Sequence, residues 1–176
     1  MKIFICGWTG SGKTHLAKLL SQALGLKNIS ASGWLREWDE VQAQQAKDES
    51  KGEYTQRLTE MSLDVLSHNP DICIDWLKKQ NSDIIDGLRN PRDFTYLYNP
   101  ETDIVIWCVK NDVTEPATPF EDKGLVAIWK YINFQKIIHP KLKMIIVNHS
   151  GPPSGLESRL ELILREMGAE KSWRLK

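Results

Sequence analysis

The residues with the most specific chemistry lie near the start of the chain, where positions 7–14 read Gly-Trp-Thr-Gly-Ser-Gly-Lys-Thr. This is the complete G-x-x-x-x-G-K-[ST] pattern, whose glycines let successive backbone N–H groups point at phosphate oxygens. Lys13 adds a mobile positive charge for the β- and γ-phosphates, and the Thr14 hydroxyl is a ligand for Mg²⁺. The pattern therefore predicts that ATP and Mg²⁺ bind here. The predicted ATP-binding residues are Gly7, Trp8, Thr9, Gly10, Ser11, Gly12, Lys13 and Thr14.

A second polar group occupies residues 83–93. The apolar pair at 84–85 predicts a buried strand that delivers Asp86 at its carboxyl end, beside the phosphate loop if the sheet is parallel. A carboxylate there can hold Mg²⁺ or its waters. Arg89 and Arg92 follow at once, and two guanidinium groups favour recognition of a second anion, such as the phosphate of an acceptor. The alternative is a strand-ending turn with a structural Asp–Arg pair, and the nearby phosphate loop favours the functional interpretation.

A third candidate segment is 30–37, where a short polar turn leads into a helix that carries Arg36 near its start. Taken alone, this pattern indicates a capped helix with an exposed arginine. Ser32, in the turn, carries a hydroxyl.

The elements around these residues alternate between strand and helix. Apolar runs predict strands at 2–6, 29–32, 84–85, 104–109 and 144–147, and apolar residues at helical spacing predict helices after most of them. We expect helices at 16–24, 58–66 and 156–167, and one opened by Asn69-Pro70 as N-cap and first helical residue. Such alternation predicts a three-layer α/β/α fold with a parallel sheet, in one domain over 1–176, with ligands at the carboxyl ends of the strands.

The composition excludes several classes of function. Lysine plus arginine and aspartate plus glutamate both number 23, so no net positive charge recruits nucleic acid or an anionic membrane surface. No apolar run approaches the length of a membrane span, and the first residues are too few and too little charged for a signal peptide. Three widely spaced cysteines in apolar contexts predict buried thiols rather than a metal site. We therefore expect a cytoplasmic protein with a small-molecule partner, of unassigned oligomeric state.

Two polar segments, 39–57 and 110–124, do not resemble core. One interpretation is that these segments form a surface helix and a surface loop, and the other is that they form a mobile lid over the phosphate site. We expect a lid over 110–136, with irregular backbone at Pro116, Pro119 and Gly124 and with Lys123 or Lys130 facing the phosphates. The alternative is a core helix in this stretch, because four large apolar residues recur there at helical spacing: Leu125, Ile128, Trp129 and Ile132.

These motifs together resemble the nucleoside monophosphate kinase branch of phosphate-loop proteins. Residues 7–14 match the ATP loop, and 29–36 resemble the adenylate kinase segment that holds the acceptor nucleotide. Residues 86–89, Asp-Gly-Leu-Arg, resemble the Asp-Gly-Phe-Pro-Arg segment of those enzymes. They are more similar to the Asp-Gly-Ile-Arg or Asp-Val-Arg segment of dephospho-coenzyme A kinase-like proteins and bacteriophage deoxynucleoside monophosphate kinases. The segment 145–148 is similar to their last strand and base-side loop.

The resemblance implies an ATP-dependent phosphotransferase acting on a nucleoside or deoxynucleoside monophosphate. It implies that Lys13, Asp86 and Arg89 are catalytic, that Thr14 and Asp86 hold Mg²⁺, and that Asn148 lies near the ATP base. The acceptor would be held by Ser32, Arg36, Arg57, Arg89 and Arg92. The acceptor-binding segment would span about 30–70.

The chain departs from these kinases between Arg92 and Arg159, where it contains no arginine. Kinases of this branch usually bring lid arginines to the transferring phosphoryl group, and a lysine cannot make the same bidentate contact. A lysine substitute, recruitment of Arg92, or a slow enzyme would each account for the difference. Two other functions remain open: a kinase of another phosphorylated acceptor such as dephospho-coenzyme A, and a nucleotide-binding regulatory module with little turnover.

Overall fold

A computed structural model describes residues 1–40, 44–113, 118–151 and 154–169 of the chain, without the side chains of Lys51, Phe120 and Ser154. Within these ranges the strands form one parallel sheet in the order β2-β3-β1-β4-β5. The strands are β1 (Ile3–Cys6), β2 (Asn28–Ser30), β3 (Ile84–Asp86), β4 (Ile104–Lys110) and β5 (Lys143–His149). The predicted parallel sheet and its strand segments are confirmed.

The described helices α1 to α6 lie between successive strands, α7 and α8 follow β5, and together they cover both faces of the sheet. They are α1 (Lys13–Leu24), α2 (Gly33–Trp38), α3 (Lys51–His68), α4 (Ile72–Gln80), α5 (Pro91–Leu97), α6 (Pro119–Ile138), α7 (Ser154–Glu157) and α8 (Leu160–Met167). None of the helices in the described part of the chain is long and apolar enough to cross a membrane.

Two predicted helix boundaries were wrong. The helix expected to open at Asn69-Pro70 begins at Ile72, because Asn69 instead ends α3, where its N–H bonds to the Val65 carbonyl. The helix expected over 156–167 is divided, since α7 ends at Glu157 and α8 begins at Leu160.

The sheet separates two apolar layers because successive residues of a strand point to opposite faces. On one face, Ile3 and Ile5 pack with α1, α7 and α8. On the other, Phe4 and Val105 pack with α2, α4, α5 and α6. The strand register places Ile5 opposite Asp86 on one side and Ile106 on the other, so the segments that follow β1, β3 and β4 emerge at the same edge. This edge carries the candidate site.

Most of the expected lid segment is helix α6, so the irregular backbone expected at Pro119 and Gly124 was wrong. Pro119 is the first helical residue, which suits its missing N–H and fixed φ, and Thr118 caps the helix by accepting from the Glu121 N–H. The buried residues Leu125, Ile128 and Ile132 anchor the helix in the core, as the alternative interpretation predicts. Pro116 lies outside the described residues.

Gly124 allows α6 to approach the site closely. A Cβ at this position would collide with the backbone carbonyl oxygen of Arg89. Glycine inside a helix costs roughly 0.5–1 kcal/mol relative to alanine. The absence of a side chain is therefore explained by contact with the Arg89 backbone rather than by a flexible loop.

Candidate functional site

The loop between β1 and α1 has the backbone conformation that its glycines permit. Gly7, Gly10 and Gly12 have φ values of 138°, 84° and 85°, a region that residues with a Cβ rarely adopt. A side chain at Gly7 would also meet the backbone carbonyl of Cys108. The loop ends where α1 begins at Lys13, so unpaired N–H groups and the positive end of the helix dipole lie at the same place. This arrangement suits an anion such as a phosphate.

Lys13 is buried, with 7% of its surface exposed, and its Nζ donates to the Trp8 carbonyl oxygen at 2.6 Å. Burial, and after it the positive charge of Arg89, lower the pKa of Lys13 to about 8, while Glu121 and Asp86 act in the opposite direction. The Lys13 amine is thus a desolvated cation that binds a carbonyl oxygen of its own loop. Phosphate oxygens are stronger acceptors for it than a backbone carbonyl.

Asp86 ends β3 next to this loop, as expected. It is 2% exposed, and its Oδ1 accepts from the Thr14 hydroxyl at 3.3 Å. Its Oδ2 is buried and has no hydrogen-bond partner among the described residues. Burial raises the pKa of Asp86, although the Lys13 charge opposes this.

The Thr14–Asp86 pair fits Mg²⁺. A hard divalent cation takes oxygen ligands and usually keeps several waters, so one hydroxyl and one carboxylate suffice from the protein. The partnerless Oδ2 is the observation that favours this use, because a buried carboxylate oxygen without a donor is costly. The described residues contain no group of three or more His, Cys, Asp or Glu that would hold a metal by themselves.

Arg89 lies against the phosphate loop. Its Nη2 donates to the Thr9 hydroxyl at 2.7 Å, and its Nε is 3.2 Å from Glu121 Oε1 as an ion pair. The same carboxylate oxygen accepts from the Thr9 N–H and from the Thr9 hydroxyl, each at 2.8 Å. Thr9, Arg89 and Glu121 thus form one connected polar cluster, although they come from three separate segments of the chain.

The phosphate loop is bound to β4 and β5 by two hydrogen bonds to the Ser11 carbonyl oxygen. Cys108 Sγ donates to it at 2.7 Å, and His149 Nε2 lies 2.8 Å from it. Burial raises the pKa of Cys108 to about 11, which keeps the thiol protonated as a donor. Since a carbonyl can only accept, His149 Nε2 carries a proton. These contacts hold the loop conformation from beneath.

On the other side of Arg89 lies a cavity of about 90 Å³ between α2, α3 and the segment after β3. We call it the acceptor cavity. Its lining combines hydroxyl groups, one guanidinium and one buried carboxylate: Ser32, Thr59, Ser62, Arg89 and Asp93. Asp93 is 2% exposed, and its Oδ1 has no hydrogen-bond partner among the described residues. The cavity therefore offers an unsatisfied carboxylate oxygen of Asp93 to hydrogen-bond donors, and the positive charge of Arg89 suits an anion.

The other predicted arginines do not converge on this cavity. Arg57 forms a bidentate pair with Glu49, with Nε–Oε1 at 2.8 Å and Nη2–Oε2 at 2.9 Å. Arg92 pairs with Asp71 at 2.6 Å on the outer surface. Arg36 is exposed and lines a separate surface cavity. The expected cluster of four arginines around one acceptor is thus reduced to Arg89 in this structure, because existing carboxylate partners hold two of the others.

Asn148 was expected to lie near the ATP base. It is exposed on β5 and lines a surface pocket beside α8. The neighbouring His149, which the sequence analysis did not select, points inward beneath the loop instead. Because side chains alternate along a strand, a shift of one residue exchanges the buried and the exposed face.

Asp93 and Glu121 were also missed. Thr118-Pro119 followed by Glu121 has the pattern of a helix N-terminus, with a capping residue, proline at the first position and an acid at the third. That signal predicts the start of α6, but not that the Glu121 side chain turns to the loop. Asp93 lies three residues after the Asn90 cap of α5, and its burial carries no local signal.

Replacing Asp93 by asparagine should change how stability depends on pH. Burial raises the pKa of Asp93 to about 6, against roughly 3.9 in an unfolded chain. The folded state then binds more protons between these values, so the stability present below about pH 4 is lost as pH rises through about 6. The difference in unfolding free energy between Asp93→Asn and wild type should therefore shift in favour of Asp93→Asn between acid and neutral pH. The expected shift is about 1–3 kcal/mol. Urea unfolding at both pH values measures this.

The exposed Asp64 provides the control, since Asp64→Asn should show no such trend. A stability difference for Asp93→Asn that does not change with pH would contradict the assignment of a buried, titrating carboxylate.

The sequence matches no protein-family model and no curated protein. Solved structures do resemble it. A shikimate kinase from Aquifex aeolicus vf5 aligns with a TM-score of 0.50 at 16% identity, over 97% of this chain and 98% of that chain. A shikimate kinase from Bacteroides thetaiotaomicron gives a TM-score of 0.44 at 12% identity, over 96% and 98%. A sugar kinase from Janibacter sp. HTCC2649 gives 0.46 at 15% identity, over 96% and 94%. At these identities the likeness concerns the fold, and the chain has the three-layer fold of phosphate-loop kinases.

Proposed function

We propose that this protein is a Mg-ATP-dependent phosphotransferase whose acceptor is a nucleoside or deoxynucleoside monophosphate. The observation that carries the proposal is the position of Arg89. Arg89 contacts Thr9 of the phosphate loop through its guanidinium and is also one of the residues that line the acceptor cavity. A donor phosphate in the loop and an acceptor phosphate in the cavity would therefore share one cation between them.

Lys13 and the N–H groups of the loop bind the ATP phosphates, and Thr14 and Asp86 hold Mg²⁺. The metal, when bound, neutralises charge on the β- and γ-phosphates. Lys13 follows the γ-phosphate because its amine is on a flexible stem and is already desolvated.

Transfer needs no covalent enzyme intermediate. An acceptor phosphate oxygen attacks the γ-phosphorus in line, the bond from that phosphorus to the bridging oxygen breaks, and ADP leaves with the electron pair. Positioning and charge stabilisation supply most of the acceleration in such reactions. The protein's own contribution is to align the two phosphates across Arg89.

The chemistry of the acceptor cavity supports an acceptor with two different ends. Arg89 suits an anion, and Asp93 Oδ1, together with Ser32, Thr59 and Ser62, suits N–H or O–H donors. A nucleotide has both. A nucleotide-sized ligand needs a pocket of roughly 300 Å³ or more, so this cavity has to widen for a nucleotide to enter.

A second candidate is an acceptor without a phosphate, such as a small polyol. The observation that favours it is that Arg89 is the only one of the predicted acceptor arginines that lines the cavity in the described structure. The resemblance in fold to a shikimate kinase is compatible with this candidate.

The test is an acceptor screen with Mg-ATP, which follows ADP formation and identifies the phosphorylated product. The panel contains the nucleoside and deoxynucleoside monophosphates, dephospho-coenzyme A, shikimate and simple sugars. Transfer to a nucleoside monophosphate supports the first candidate, and transfer to a polyol supports the second. ATP binding by calorimetry without transfer to any acceptor would overturn both and favour a regulatory module.

A further inference from the structure

A buried carboxylate of α6 lies against the phosphate loop. Glu121 is 1% exposed and is 112 residues from Thr9 in sequence, yet its Oε1 accepts both the N–H and the hydroxyl of Thr9. Removing a carboxylate from water is costly unless a counter-charge and hydrogen bonds replace the lost hydration. Here the counter-charge is Arg89, with its Nε 3.2 Å from the same oxygen.

The contacts to Arg89 restrict its side chain and its backbone together. The guanidinium donates a hydrogen bond from Nη2 to the Thr9 hydroxyl, and its Nε lies 3.2 Å from Glu121 Oε1 as an ion pair without hydrogen-bond geometry. The backbone carbonyl lies directly against Gly124, one turn further along α6. About 28% of the Arg89 side chain remains exposed, and it lines the acceptor cavity. The N-terminal part of α6 therefore determines the position of the Arg89 guanidinium relative to the phosphate loop and the acceptor cavity.

We propose that Glu121 is a positioning residue for phosphoryl transfer, which acts by holding the Arg89 guanidinium between the phosphate loop and the acceptor cavity. The inference rests on the proposed function. In this arrangement Arg89 supplies the arginine contact to the transferring group, which explains how the chain manages without an arginine between Arg92 and Arg159. A flexible arginine would lose part of this effect, since transition-state charge is stabilised most by donors that are already oriented.

The alternative is that Glu121 merely ties α6 to the loop. Other contacts already dock this helix, namely the Thr118 cap and the buried residues Leu125, Ile128 and Ile132. Since α6 has these anchors, loss of the Glu121 charge should affect Arg89 more than it affects the fold. The two roles therefore differ in what they change: positioning changes kcat, whereas docking changes thermal stability and ATP affinity.

The experiment compares Glu121→Gln with Asp122→Asn. Asp122 is the matched control because it is an acid in the same first turn of α6 and contacts neither Thr9 nor Arg89 in the structure. Each variant is tested with the acceptor identified in the screen, for kcat, for acceptor KM and for ATP affinity by calorimetry. We expect Glu121→Gln to lower kcat at least about tenfold with ATP affinity within about threefold, and Asp122→Asn to leave kcat within about twofold.

A double-mutant cycle with Arg89→Lys tests the route of the effect. If Glu121 acts through Arg89, Glu121→Gln should lower kcat far less in the Arg89→Lys background than in wild type. If Glu121→Gln does not fold, Glu121→Asp replaces it, because it keeps the charge but shortens the side chain and so draws the carboxylate away from Arg89. We expect the same loss of kcat with ATP binding retained.

Unchanged kcat in Glu121→Gln, or in Glu121→Asp where the first variant does not fold, would overturn the inference while leaving the proposed function intact. Fully additive effects in the cycle would do the same. Absence of transfer by the wild-type protein to every acceptor would instead overturn the proposed function, and the inference with it.

Discussion

Replacing Lys13 by alanine should weaken ATP binding by about 10- to 100-fold, because a hydrogen bond to a charged group contributes roughly 1.5–3 kcal/mol. Turnover should fall further, since the same amine follows the γ-phosphate during transfer. The fold should survive. Lys13 is buried and burial lowers its pKa to about 8, so the folded protein bears a cost for this charge that alanine removes. Calorimetry with ATP and a thermal melt measure the two effects separately.

Lys18 provides the control for charge and helix propensity. It lies on the exposed side of α1, so Lys18→Ala should bind ATP as wild type does. Equal ATP affinity in Lys13→Ala and wild type would refute the assignment of residues 7–14 as the ATP site. A large decrease in melting temperature would show that Lys13 stabilises the folded loop rather than binding ATP.

Arg89→Ala should reduce kcat by about 10²–10³-fold, the effect of losing one oriented donor to developing charge. The acceptor KM should rise as well, since the guanidinium lines the acceptor cavity. ATP affinity should change little, because the loop N–H groups and Lys13 still hold the donor. Steady-state kinetics with varied acceptor, together with calorimetry, measure these quantities.

Arg159→Ala is the matched control, an exposed arginine beside β5 that lies outside the acceptor cavity. Its kinetics should match those of wild type. If Arg89→Ala instead abolished ATP binding and left acceptor kinetics unchanged, Arg89 would belong to the donor site, and the function assigned to the cavity beside it would have to be abandoned.

The sequence predicted the parts of the site whose structure depends on neighbouring residues. The loop at 7–14 needs particular glycines at particular positions, and those positions do have positive φ in the structure. Asp86 was expected at the end of a strand beside this loop, and the register of β1 and β3 places it there. The strand segments were predicted for the same reason, since strands buried on both faces require continuous apolar runs.

The sequence offered four arginines as candidates for an acceptor site, and only the folded chain shows where each of them lies. Arg36, Arg57, Arg89 and Arg92 have the same side chain, and local pattern cannot say which carboxylate each will meet. In the folded chain Glu49 and Asp71 hold two of them, and Arg89 alone of the four lines the acceptor cavity. Pairing between charges far apart in sequence is decided by packing, because it depends on which helices come together.

Helix α6 shows most plainly the difference between what the sequence predicts and what packing decides. Pro119 and Gly124 are compatible with both a loop and a helix, and the apolar residues at 125, 128 and 132 were compatible with the helix alternative from the start. By itself, the sequence determined an anion-binding loop on a parallel sheet, because short-range backbone geometry requires those residues. Only the tertiary structure decided that α6 packs against the Arg89 backbone and brings Glu121 to Thr9. These contacts join residues that are far apart in the chain, so their energy depends on the packed structure and leaves no local pattern in the sequence.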